Sequence, residues 1–84
     1  MNTIEWSRKA LKQLKNLPLK DADKIVDTVD DLERFPDCSG VKPLTRHRYD
    51  FRLRVGRYRV MFNFDGGIKV VHIEEVLKRD ERTY

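Results

Sequence analysis

The sequence predicts an α+β fold of the order β-αα-βββ, in which an N-terminal strand and a helical hairpin precede an antiparallel sheet and the helices pack on one face of that sheet. Two observations support this fold class. Apolar residues recur at helical spacing in the first half of the chain, and from Tyr49 onward they alternate with charged residues, as in half-buried strands. With 84 residues and no internal repeat or linker, the chain is expected to form one domain over residues 1–84.

The first half reads as a short strand followed by two helices. Ile4 and Trp6 lie in a run typical of an edge strand, and Ser7 is then a good N-cap because its hydroxyl can accept from an unpaired backbone N–H. The first helix carries apolar residues at helical spacing, namely Ala10, Leu11, Leu14 and Leu17, and ends at Pro18. A second helix begins within residues 19–23 and ends before Phe35-Pro36.

The second half reads as a loop over residues 36–43 and then three strands. Residues 49–55 and 58–64 alternate between apolar and polar side chains around a turn at Gly56-Arg57, which predicts a β-hairpin. Residues 68–77 are apolar on both faces at first, as in a central strand. Within that strand His72 is expected to pack in the core. Glu74 and Glu75 are expected to point to opposite faces.

Positive charge is concentrated in the predicted hairpin. Between Lys42 and Arg59 the chain has seven basic residues and one acidic residue, a balance of +6. Alternation places Arg52, Arg54 and Arg59 together on the face opposite the helices, and guanidinium groups bind phosphates well. We therefore predict a face that binds nucleic-acid phosphates, with ordinary solvated arginines as the alternative.

Other classes of protein and site are disfavoured. The chain has one cysteine, Cys38, which suits a reducing compartment, and it has no apolar run of membrane-spanning length and no signal peptide, so a cytoplasmic protein is expected. The two histidines show no metal-ligand spacing, and no phosphate-binding loop or dinucleotide-binding motif is present. No metal and no cofactor are expected.

Four segments of the sequence resemble the RelE/ParE superfamily of toxins from type II toxin–antitoxin modules: the opening IEWSRKALKQLKNLP, the loop GVKPL, the hairpin YDFRLRVGRYRVMF and the ending EEVLKRDERTY. The resemblance runs through essentially the whole chain and is closest to the RelE branch. It implies a ribosome-dependent, metal-independent mRNA endonuclease that inhibits translation, with a cognate antitoxin, the ribosome and mRNA as partners. The alternatives are a ParE-like, non-enzymatic inhibitor of DNA gyrase and a weakly active homologue that only binds RNA or its antitoxin.

The resemblance also implies roles for individual residues. Arg59 matches the arginine of a Tyr-Arg pair and would clamp the reacting phosphate. Arg79 matches the arginine after the last strand and would support the phosphate or the leaving group. Tyr84 resembles the C-terminal tyrosine of the family. Arg52 and Asp50 stand where some relatives carry strand lysines.

The proton acceptor is left open, because an arginine is too basic to act as a general base near neutral pH. The candidates are Tyr84, Lys78, His47 and Asp50. The further residues predicted to bind RNA are Lys42, His47, Arg54, Arg57 and Lys78.

Overall fold

The computed structural model describes residues 1–79 and confirms the predicted fold class. Its elements, in chain order, are β1 (Thr3–Trp6), α1 (Arg8–Lys15), α2 (Leu19–Asp30), a 3-10 turn (Asp31–Arg34), β2 (Val41–Pro43), β3 (Phe51–Val55), β4 (Tyr58–Asp65) and β5 (Val70–Lys78). The second helix is shorter than predicted because its last turn, Asp31–Arg34, tightens into the 3-10 form. None of the helices in these residues is long and apolar enough to cross a membrane.

The sheet has five strands in the order β1-β5-β4-β3-β2. Strands β2 to β5 are antiparallel, as predicted, but β1 pairs with β5 in parallel, so the complete sheet is mixed. The central position expected for the last strand is confirmed, because β5 lies between β1 and β4. β2 falls in a segment predicted as loop; its three residues are too few to show alternation.

The core lies between the helical pair and one face of the sheet. The largest fully buried side chains are Phe62, Ile25, Leu32, Leu53, Ile73, Val29, Val60 and Val71. Ser7 begins α1 as predicted: its Oγ accepts from the Ala10 N–H (3.0 Å) and donates to the Glu74 carbonyl (2.9 Å), which ties α1 to β5. The core therefore lies on one face of the sheet, and the other face carries most of the polar and charged side chains of the strands.

That other side of the sheet, here called the open face, is defined by the strand registers. Two rows of cross-strand neighbours run over it from strand to strand. They are Lys42–Arg52–Met61–Glu75 and Arg54–Arg59–Leu77. Asn63 and His72 form a further pair on this face, two residues along β4 from Met61.

A β-bulge changes the expected directions of two carboxylates. The register between β4 and β5 shifts at Met61/Phe62, so that Met61 lies opposite Glu75 while Phe62 lies opposite Ile73. Glu74 is the extra residue, and its Oε2 accepts from Asn63 Nδ2 (3.2 Å) on the open face. The prediction that Glu74 and Glu75 point to opposite faces was therefore wrong, because strict alternation does not hold through a bulge.

His72 also differs from its predicted core position. Its side chain is 38% exposed on the open face, and its Nδ1 lies 3.5 Å from Glu5 Oε1 on the neighbouring strand β1. The core positions in this part of β5 are taken by Val71 and Ile73. The apolar neighbours of His72 in the sequence thus face the helices, while His72 does not.

Candidate phosphate-binding site

Like charges lie directly opposite one another on the open face. Arg54 on β3 is the cross-strand partner of Arg59 on β4, and Lys42 on β2 is the partner of Arg52 on β3. Directly opposed like charges destabilise a sheet, by roughly 0.2–1 kcal/mol per pair. This part of the open face therefore carries a concentration of positive charge, which suits an anion.

The basic residues enclose a cleft of about 240 Å³ at the β3–β4 hairpin. It is lined by Arg52, Arg54, Gly56, Tyr58, Arg59 and Arg79. Four of these six residues are arginines, so the cleft presents guanidinium groups from two strands and from the residue that follows β5. Such an arrangement can bind a phosphate from several sides at once.

Backbone contacts bring Arg79 to the hairpin. The Arg79 N–H donates to the Arg57 carbonyl at 2.6 Å and so extends the β4–β5 ladder beyond Lys78. Gly56 allows the tight turn, since its φ of 55° lies in the left-handed region that glycine adopts without strain. Arg79 and the first residues of β4 are thus held at the same end of the sheet.

A buried tyrosine ties this end of the sheet to α2. Tyr58 begins β4 and is only 6% exposed, and its hydroxyl donates to Asp21 Oδ2 at 2.6 Å. That hydrogen bond raises the pKa of Tyr58, with burial as the second cause. Tyr58 therefore stays protonated near neutral pH and supports the cleft without acting as a base there.

Arg52 has an unusual environment for an arginine. Its Nε is buried and has no hydrogen-bond partner among residues 1–79. Buried donors in proteins are nearly always paired. The surrounding protein covers Nε, so Arg52 lines the cleft through its other atoms.

The structure places the other predicted residues outside the cleft lining. Lys42 lies on the open face on edge strand β2, and Arg57 is exposed in the hairpin turn. Lys78 lies opposite Tyr58 and therefore on the side of the sheet that carries the helices. His47 is exposed in the loop between β2 and β3. Tyr84 lies outside the described residues.

Three of the four candidates for the proton acceptor lie in the described part of the chain, and none of these three is in the cleft. Lys78, His47 and Asp50 do not line it. The backbone N–H of Asp50 donates to Asn63 Oδ1 at 2.8 Å, which fixes Asp50 at the foot of β3, away from Gly56. Within the part of the chain that the structure describes, the cleft supplies cations and no base.

Tyr49 is a residue whose position the sequence pattern missed. It was predicted to lie in the strand and face the core, but β3 begins at Phe51, and the Tyr49 hydroxyl donates to Glu75 Oε2 (2.9 Å) on the open face. This hydrogen bond is the main cause that raises the pKa of Tyr49. Lys9 of α1 completes the group, with its Nζ 3.1 Å from Glu75 Oε1.

Metal binding finds no support in the side-chain geometry of residues 1–79, where no group of three or more His, Cys, Asp and Glu side chains could hold an ion.

A small sheet with a helical hairpin packed on one face also occurs in solved complexes of type II toxin–antitoxin systems. Residues 4–83 match the family of the ParE toxin of the type II toxin–antitoxin system parDE. The chain therefore belongs to the RelE/ParE superfamily, and the resemblance found in the sequence is confirmed. A comparison with curated proteins gave no match.

Solved structures of toxin–antitoxin systems share the fold. The toxin–antitoxin complex RelBE2 from Mycobacterium tuberculosis contains a chain with 30% identity and a TM-score of 0.82, and the similarity covers 93% of this chain and 98% of that one. The archaeal RelE–RelB complex from Pyrococcus horikoshii has a chain with 25% identity and a TM-score of 0.79, covering 95% and 97%. The chromosomal ParDE system from P. aeruginosa is similar in fold alone, at 21% identity and a TM-score of 0.63, covering 95% and 98%.

Proposed function

We propose that this toxin is a ribosome-dependent, metal-independent mRNA endonuclease of the RelE type, which acts in the cytoplasm and stops translation. The observation that carries the proposal is the cleft lined by Arg52, Arg54, Arg59 and Arg79. A cleft lined by four arginines suits a reaction in which negative charge accumulates on one phosphate.

In the proposed reaction, the 2′-hydroxyl of one nucleotide attacks the phosphate that follows it. The bond between O2′ and phosphorus forms, the bond between phosphorus and O5′ breaks, and the products are a 2′,3′-cyclic phosphate and a 5′-hydroxyl. Arg59 binds the non-bridging oxygens, and Arg52 and Arg79 stabilise the extra negative charge of the five-coordinate phosphate. The proton leaves the 2′-hydroxyl and another is delivered to the 5′ oxygen.

Arginine cannot accept the 2′-hydroxyl proton near neutral pH. We propose that Tyr84 takes part in the proton transfer or stacks on an unstacked mRNA base, as aromatic side chains do in single-stranded RNA recognition. The arginines supply the larger electrostatic part of the rate enhancement.

The second candidate function is inhibition of DNA gyrase without enzymatic activity. The match of residues 4–83 to the ParE toxin family favours it. A protein that only binds gyrase has no need to concentrate cations at one point, however, and fold alone does not determine function in this superfamily. The arginine cleft therefore favours cleavage of RNA.

A cognate antitoxin is the partner expected for a toxin of this class, since the solved complexes from Mycobacterium tuberculosis and Pyrococcus horikoshii are toxin–antitoxin complexes. We propose that an acidic segment of the antitoxin covers the cleft. Charge reversal at Arg52 and Arg54 would then slow association and weaken the complex.

The deciding experiment follows mRNA cleavage during translation by primer extension, alongside a gyrase supercoiling assay. Arg59→Ala should lower the cleavage rate by about 10²–10³-fold, as expected when one group that stabilises the transition state is removed. Arg59→Lys should recover part of it, because the charge returns without the bidentate geometry. Arg8→Ala, which removes an exposed arginine of α1, is the matched control. Full cleavage by Arg59→Ala would refute the assignment, and inhibition of supercoiling without cleavage would favour the gyrase function.

A further inference from the structure

The loop between β2 and β3 carries three basic side chains that the cleft does not include. Residues 44–50 form this loop, here called the basic loop, and Arg46, His47 and Arg48 are all exposed in it. We propose that the basic loop is a second binding site for RNA phosphodiesters, which holds the RNA strand beside the cleft. This inference rests on the proposed function and extends it to Arg46 and Arg48.

The backbone of the basic loop is closed on itself and fixed to the sheet. The Leu44 N–H donates to the Asp50 carbonyl (2.9 Å), and the Asp50 N–H donates to Asn63 Oδ1 (2.8 Å) on the open face. Inside the loop, the Tyr49 N–H donates to His47 Nδ1 (3.1 Å). The loop is therefore a defined structural unit, although no residue in it belongs to a strand or helix.

Tyr49 holds the basic loop against the open face. Its side chain is only 8% exposed, and the hydrogen bond to Glu75 ties it to the last residue in the row Arg52–Met61–Glu75. Met61 lies in the middle of this row and is only 4% exposed, although the helices cover the opposite face. The loop thus lies beside Arg52, a residue that lines the cleft.

The same tyrosine orders two of the basic side chains. The Arg48 guanidinium carbon lies 5.5 Å from the centre of the Tyr49 ring, within the range of a cation–π contact. The His47 ring centre lies 5.9 Å from it. Because Nδ1 of His47 accepts a hydrogen bond, the neutral ring carries its hydrogen on Nε2, which can donate to a phosphate oxygen.

Arg46 has a backbone conformation that is unusual for a residue other than glycine. Its φ of 54° lies in the left-handed region, which residues other than glycine seldom adopt. Strained residues of this kind are concentrated at binding and catalytic sites, where the surrounding structure holds them in place. The loop therefore holds Arg46 in a fixed backbone conformation at an exposed position.

The first test measures binding of a fluorescent single-stranded RNA oligonucleotide that is 2′-O-methylated and so cannot be cleaved. The double variant Arg46→Gln/Arg48→Gln should bind on the order of tenfold more weakly at low salt. The slope of log K against log salt should fall by about 1.4, which corresponds to two lost phosphate contacts on a single strand. Lys12→Gln/Lys15→Gln, which removes two exposed charges from α1, is the control and should leave the slope unchanged.

The second test measures cleavage during translation. The Arg46/Arg48 variant should raise KM by a similar factor at unchanged kcat, since binding that is equal in the ground and transition states affects KM alone. The salt dependence of binding can also be measured with ribosomes in place of the oligonucleotide. If the variant lowers the slope of log K against log salt for ribosomes but not for the oligonucleotide, the site is supported and ribosomal RNA is the source of the phosphates. An unchanged slope in both assays would overturn the inference while leaving the cleavage function intact. If the variant binds the oligonucleotide more weakly than the wild-type protein does, and the wild-type protein itself fails to cleave mRNA, the site is supported and the proposed function is refuted.

Tyr49→Phe tests whether the loop must be held in place. This change removes the hydrogen bond to Glu75 and keeps the aromatic ring. It should weaken RNA binding in the wild-type protein and have a smaller effect in the Arg46→Gln/Arg48→Gln background, where Tyr49 still orders only His47 among the three basic side chains of the loop. Equal losses in both backgrounds would show that Tyr49 acts elsewhere and would overturn its positioning role.

Discussion

Replacing Arg54 by glutamine tests whether the charge on the open face destabilises the fold. Arg54 lies directly opposite Arg59, and the Cβ atoms of such residues are about 5 Å apart. Two unit charges about 5–8 Å apart in water repel each other by about 0.5–0.8 kcal/mol. Arg54→Gln should therefore stabilise the protein, whereas most substitutions destabilise.

The expected change is large enough to measure by thermal unfolding. A domain of this size gains about 4–8 °C in Tm per kcal/mol, so Arg54→Gln should raise Tm by about 2–6 °C at low salt. In about 1 M salt the Debye length falls to about 3 Å, and most of the gain should vanish. RNA binding should weaken in the same variant, with a salt slope lower by about 0.7.

Lys12→Gln is the control, because it removes one exposed positive charge from α1, outside the rows of the open face. The control should leave Tm at low salt without the rise that is expected for Arg54→Gln. A lower Tm for Arg54→Gln, or a rise that is equal at all salt concentrations, would refute the view that the cleft residues repel one another.

Three further predictions concern pH and the tail. Burial raises the pKa of Glu75, but the hydrogen bonds from Tyr49 and Lys9 outweigh it and hold the pKa below its ordinary value, so stability should fall as pH drops below about 4.3. Glu75→Gln should flatten this part of the curve of Tm against pH, and an unchanged curve would contradict the assignment. The raised pKa of Tyr58 contributes stability that is present below about pH 10 and lost as pH rises further, so Tyr58→Phe should remove that alkaline decline in unfolding experiments. Tyr84→Phe should abolish mRNA cleavage if the hydroxyl transfers a proton, whereas loss only in Tyr84→Ala would indicate stacking, and full activity of both variants would exclude Tyr84 from the site.

The fold class could be predicted because each half of the chain follows one period. Apolar residues at helical spacing mark α1 and α2, and two-residue alternation marks β3 and β4 around Gly56. The parallel pairing of β1 with β5 could not be predicted in this way, since alternation within a strand carries no information on the direction of its neighbour.

The site was predictable only where the strands are regular. Arg52, Arg54 and Arg59 follow the alternation and lie on the open face as expected. The alternation fails at the bulge in β5, which carries Glu74 and Glu75, and at the bend before Phe51, which carries Tyr49. These two irregular segments meet in a tertiary contact, the hydrogen bond between Tyr49 and Glu75. No local sequence signal marks either irregularity.

β1 is translated before the other described strands, and its pairing partner β5 is the last of them. Thr3 lies opposite Val70, so at about 5–20 residues per second β1 remains without its partner for roughly 3–13 s. Arg59 and Arg79 likewise come together only once β5 has joined β4. A nascent chain that lacks β5 therefore has no assembled cleft, and the four arginines come together only after almost the whole described chain has been made.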